Sequence, residues 1–81
     1  MYKSVGVKQL TRRWGSCSSK KDITFNLRLM TLQSEYIDYV IFHELTHTQH
    51  MNHGSEFWAK LEQVYPGAKK TAKIVRRLQP S

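Results

Sequence analysis

The chain has 81 residues, 40% of them apolar, and 13 basic against six acidic residues give it a net charge of +7. That length limits it to one domain, which is marginal in stability unless something besides its own core helps hold it. The apolar fraction excludes a disordered tail, the single cysteine excludes an internal disulfide, and the longest apolar run, Val40-Ile41-Phe42, excludes a membrane span.

The start, Met1 to Val7, has no apolar core of a secretory leader, so the expected compartment is the cytoplasm, with no membrane partner. The first third reads as β. Val5 and Val7 alternate on one phase, and Leu10 and Trp14 lie on the other, which predicts two short strands or one bulged strand. Gly15 to Asp22 is turn-rich and predicts a hairpin. From Ile23 to Met30 the apolar Ile23, Phe25, Leu27 and Leu29 alternate with Thr24, Asn26, Arg28 and Met30, a period of two that predicts one strand. An edge of that strand could receive an extended peptide.

Ser34 is placed to cap a helix running to about His50 or Met51, with Glu35 and Asp38 near its positive end. Ile37, Ile41, Leu45 and Thr48 form the expected packing stripe, with Tyr36, Val40, His43, His47 and His50 roughly opposite. Asn52-His53-Gly54-Ser55 reads as a stop followed by a new cap, with Ser55 opening a helix over about Glu56 to Tyr65. Pro66-Gly67 breaks that helix. The last helix, about Ala68 to Leu78, aligns Ala68, Ala72, Val75 and Leu78, leaving Lys69, Lys70, Lys73, Arg76 and Arg77 largely off the stripe. A β-hairpin followed by three helices is an α+β arrangement.

His43-Glu44-Leu45-Thr46-His47 carries the chemistry. Residues four apart stand one above the other on a helix, so His43 and His47 can grip one metal ion, expected to be zinc. Glu44 points to the same side and can act as general base toward a metal-activated water. A hydrolytic zinc needs a third protein ligand. His53, beyond the helix end, can fold back to the ion, whereas His50 on a straight helix would lie in line with the other two. Glu56 and Glu62 on the following helix stay open as alternatives. His50, Tyr36 and Tyr39 are candidate oxyanion donors. Trp14 and Trp58 read as core, Cys17 as a small buried or turn residue, and Ser16 as a residue with no base beside it.

His43-Glu44-x-x-His47 with Asn52-His53 and Phe57-Trp58, together with Arg13-Trp14-Gly15-Ser16-Cys17-Ser18 and Asn26-Leu27-Arg28-Leu29 upstream, resembles the YgjP-like (DUF45) family of zinc metallopeptidases. The resemblance spans about Thr11 to Tyr65. It implies a small zincin-like domain related to the SprT-like and WLM zincins, some of which act on proteins attached to DNA. It also implies one zinc ion on His43, His47 and His53, Glu44 as the catalytic residue, and a protein or peptide substrate. The histidine spacing equals the metzincin pattern, but His50 occupies its glycine position and no Met-turn follows. Members of the family carry a longer N-terminal region, so residues 1–81 are expected to be a C-terminal catalytic part of a longer protein or a natural minimal form. The competing reading is a basic nucleic-acid-binding module with a structural or vestigial metal. In that reading Arg12-Arg13, Lys20-Lys21 and the last helix would contact phosphates.

Overall fold

A computed structural model describes residues 3–78, and Met1 and Tyr2, the start of the segment read for a leader, lie outside it. The elements are β1 (Ser4–Lys8), β2 (Gly15–Cys17), β3 (Asp22–Asn26), a 3-10 turn (Leu27–Thr31), α1 (Ser34–His47), α2 (Ser55–Val64) and α3 (Ala68–Arg77). The fold is α+β: a three-stranded sheet of order β1-β3-β2, with α1 packed against β2 and with α2 and α3 packed on α1 and on each other. No helix among the described residues is long and apolar enough to cross a membrane.

The expected hairpin forms between β2 and β3, with Gly15 opposite Phe25 and Cys17 opposite Ile23. Its turn is tighter than the turn-rich segment implied, because Gly15–Cys17 is itself strand. The Ser18 amide donates to Asp22 O, and the Ser18 hydroxyl accepts from the Lys20 and Asp22 amides. Those bonds offset the left-handed backbone of Lys21, at φ 67°. β1 is a separate strand running parallel to β3, with Ser4 opposite Asp22 and Lys8 opposite Asn26. β3 is therefore the central strand, and both of its edges are used. The expectation that it offers an edge to a peptide is corrected: the free edges belong to β1 and β2.

The strand predicted over Ile23 to Met30 stops at Asn26, and Leu27–Thr31 winds into a 3-10 turn. Asn26 is the cause. Its side chain is buried, donates from Nδ2 to the carbonyls of Leu10 and Arg13, and accepts at Oδ1 from the Arg28 amide. That last bond turns the chain out of the sheet, so Leu29 enters the core while Leu27 and Met30 face solvent. Asn26→Ala strands two carbonyls and one amide in a partly buried site. Urea melts should show a loss of about 2 kcal/mol.

α1 starts one residue earlier than a Ser34 cap requires, with Gln33 at the cap position and Ser34 inside the first turn. It ends at His47, short of His50 or Met51. Its buried residues are Tyr39, Val40, Glu44, Thr46 and His47, whereas of the expected stripe Thr48 is buried just past the helix end but Ile37, Ile41 and Leu45 are only half-buried. The expected packing stripe is thus the less covered side, because β2, α2 and α3 close over the histidine side instead. Trp14, Leu29, Tyr39, Val40, Phe57, Leu61, Ala68 and Val75 make the core. Trp14 is core as expected, and Trp58 packs partly buried against it.

α2 begins at Ser55 with Gly54 at the cap position, one residue off the expected arrangement. The Pro66-Gly67 break places Gly67 in the left-handed region at φ 84°. Glu62 then reaches forward, its carboxylate accepting from the amides of Gly67 and Lys69 at 2.9 Å each. These backbone bonds, that from Lys69 foremost, hold the Glu62 carboxyl below its usual range. The same bonds make it a capping group for α3. Leu78 sits just past the end of α3 and is 40% exposed, so it is only loosely part of the expected stripe.

Candidate metal centre

His43 and His47 lie on the last two turns of α1, where 3.6-residue periodicity stacks them with ring centroids 4.9 Å apart. The helix then stops. The Thr48 amide and hydroxyl both turn back onto Leu45 O, and the amides of Gln49 and His50 close on Thr46 O. This winding reverses the chain before α2 and brings His53 back toward the helix. His53 Nε2 lies 2.9 Å from His47 Nε2 and 3.3 Å from His43 Nε2. Ligand atoms of the three histidines all fall within 4.8 Å of one another.

Phe57, fully buried on the first turn of α2, is the floor beneath all three rings. It stacks on His47 at 4.5 Å and meets His43 at 5.1 Å and His53 at 4.8 Å. Helical spacing marks Phe57 as core but does not reveal that it supports three imidazoles at once.

Groups behind the rings fix two of them. His47 Nδ1–H donates to the His50 carbonyl at 3.0 Å, which leaves its Nε2 as a lone pair facing the centre. Tyr39 Oη lies 3.1 Å from His43 Nδ1. Burial, and then the neighbouring His47 and His53, push the His43 imidazole down to about 3, and burial also lowers His47. These rings are therefore neutral at physiological pH, the form in which a histidine binds metal.

The residues fit a metal ion. Four tetrahedral ligands at zinc–nitrogen lengths of about 2.0–2.1 Å stand about 3.3 Å from one another. The 2.9 and 3.3 Å separations found here match that spacing. Inward-facing lone pairs packed this closely repel one another unless a cation or proton lies between them.

The other residues considered as third ligand point elsewhere. The His50 ring faces Glu56, Nδ1 to Oε2 at 3.8 Å, so its contribution to the centre is its carbonyl. Glu62 caps α3. Of the candidate oxyanion donors, Tyr36 packs on the core and the Tyr39 hydroxyl is engaged with His43.

Glu44 is buried beside the histidines, in a cleft of about 560 Å³ that also includes Trp14 to Cys17, Tyr39, Trp58 and Val75. Burial pushes its carboxyl up to about 7, against the opposing pull of Arg13. The β2 strand passes so close that a Cβ on Gly15 would sit 3.1 Å from Glu44 Cγ and 3.2 Å from Oε2. A side chain at this position would have to push Glu44 or the Thr24 carbonyl back by a few tenths of an ångström, so glycine suits the close approach of strand and carboxylate. Tyr39 is raised to about 12 by burial and by the Glu44 charge, so its hydroxyl keeps its proton. Cys17 also lines the cleft, and burial and then the Glu44 charge raise its thiol, which keeps it out of the thiolate form a nucleophile needs.

The family described as "YgjP-like, metallopeptidase domain" matches residues 1–78. Among solved structures, the chain is similar to the crystal structure of the metallopeptidase zymogen of Pyrococcus abyssi abylysin. The two share 28% identity and a TM-score of 0.75, over 89% of this chain and 73% of that one. No curated sequence matches the chain.

Proposed function

The chain belongs to the YgjP-like metallopeptidase family, and from that premise we propose that it hydrolyses peptide bonds with one zinc ion held by His43, His47 and His53 and with Glu44 as general base. The observation that carries this reading is the convergence of three imidazole nitrogens in the same cleft as a buried carboxylate. When bound, the ion supplies Lewis acidity, making water nucleophilic near neutral pH and drawing charge from the scissile carbonyl.

The rest of the chemistry falls to the chain. Glu44 accepts the proton of the attacking water and passes it to the leaving amine, a double task suited to a carboxyl whose pKa lies near the working pH. Tyr39 and the His50 carbonyl hold the His43 and His47 rings with Nε2 inward. The free edge of β2, at Gly15–Cys17, lines the cleft and offers backbone groups to an extended substrate.

The test is hydrolysis of an unfolded protein substrate, followed with and without a zinc chelator. Cleavage should stop on chelation and return on adding zinc, and cleavage indifferent to chelation would sink the reading. Tyr39→Phe removes the hydroxyl behind His43 while keeping the ring. Zinc affinity, measured by competition with a chromophoric chelator, should fall by about tenfold.

A further inference from the structure

We propose that Arg12, Arg13 and Arg76 make the cleft selective for acidic peptides, engaging Asp or Glu side chains that flank the scissile bond. This inference rests on the peptidase reading and names its substrate class.

The three arginines come from opposite ends of the chain and meet at one place. Arg12 and Arg13 lie just before Trp14 and the β2 strand, Arg76 lies in the last turn of α3, and all three line the cleft that holds His43, Glu44, His47 and His53. Arginines thus line the cleft both from the segment before β2 and from α3. Among the described residues none of the three has an ion-pair partner within 4.0 Å, although Arg13 feels the Glu44 carboxylate at longer range. Of the six acidic residues in the chain, Glu44 alone lines the cleft, and it is the residue assigned to proton transfer. A bound divalent ion would make the excess of positive charge larger still.

Guanidinium groups recognise carboxylates with paired hydrogen bonds, which carry geometry as well as charge. The cleft also has an apolar component, with Trp58, Ala72 and Val75 beside the arginines. Aliphatic stems of Asp and Glu can pack there while their carboxylates reach the walls. A sugar–phosphate chain would need a run of evenly spaced cations along an open track, whereas these three arginines sit around a concavity with a candidate metal centre inside it. The arrangement therefore favours an acidic peptide over a nucleic acid.

The experiment uses the zinc-loaded Glu44→Gln chain, which should hold a peptide without cutting it. Fluorescence anisotropy compares two labelled ten-residue peptides that differ only in carrying Glu or Gln at the central positions. The Glu peptide should bind about tenfold more tightly at low salt, with the advantage shrinking as salt rises toward 0.5 M. Adding Arg13→Gln and Arg76→Gln should erase the preference while zinc affinity stays unchanged, which separates loss of the subsite from loss of the fold. Equal binding of the two peptides would overturn the proposal. So would a single-stranded oligonucleotide that binds more tightly than the Glu peptide and depends on the same arginines. Failure of Glu44-dependent hydrolysis would strike the peptidase reading alone, because this comparison measures binding without turnover.

Discussion

Glu44→Gln should lower kcat for peptide hydrolysis by about 10²–10⁴-fold and leave zinc affinity within a factor of a few. The amide keeps the size of the carboxyl but cannot accept a proton from water. It is also nearly isosteric in the space beside Gly15, where Glu44 Cγ and Oε2 leave no comfortable room for a Cβ. The fold should therefore persist, because the substitution removes an ionisable group that burial already disfavours as an anion. Melting of the variant should be unchanged or slightly improved at pH 8, where the wild-type carboxylate is charged in a buried place. Steady-state hydrolysis beside a zinc competition assay separates the two effects. Full activity in the variant would remove Glu44 from the proton-transfer role, and loss of zinc together with activity would mean the carboxylate supports the centre itself.

The parts legible in the sequence were those governed by local periodicity. The helix carrying His43 and His47, the break at Pro66-Gly67, and the hairpin before Ile23 follow from spacing and turn chemistry within a few residues. Where the sequence misled, a distant partner decided. Alternation from Ile23 to Met30 continues through Asn26, yet Asn26 spends its side chain on the carbonyls of Leu10 and Arg13, 16 and 13 residues upstream, and the strand ends there. The packing face of α1 was misjudged for a related reason. Apolarity pointed to Ile37, Ile41 and Leu45, but the sheet and the later helices cover Tyr39, Val40, Glu44 and His47. Polar groups are buried on that side because the candidate site lies there. Arg76 could not have been placed in one cleft with Arg13 from sequence, since 63 positions separate them and only the return of α3 brings both to its lining.

The second large effect concerns His53, the donor that spacing alone left undecided. His53→Ala should reduce zinc affinity by more than about 100-fold, beyond the loss typical of groups that merely orient a ligand, while His50→Ala should change it little. The contrast follows from geometry: the His53 ring nitrogen faces His43 and His47, whereas His50 offers the centre only a backbone carbonyl that alanine retains. Equal losses in the two variants would defeat this ligand assignment. The same pair should separate in melting experiments, because zinc that binds only the folded chain adds its binding energy to stability. At a thousand times Kd that amounts to about 4 kcal/mol, or more than about 10 °C in Tm for a chain of this size. Without zinc, acid should act on the same rings. His43 and His47 are held below the ordinary 6.5 of a histidine, so below that pH the unfolded chain takes up more protons than the folded one. Their contribution to stability is whole above about 6.5 and drains away on acidification, for His43 down to about 3. Glu44 works the other way: its carboxyl is raised to about 7 from 4.5, so between those values the folded chain binds the extra proton and acid favours folding. The two effects oppose each other in the chelated wild-type chain, so Glu44→Gln, which removes the compensating carboxyl, should lose more stability between pH 7.5 and pH 5 in urea melts than the wild type does.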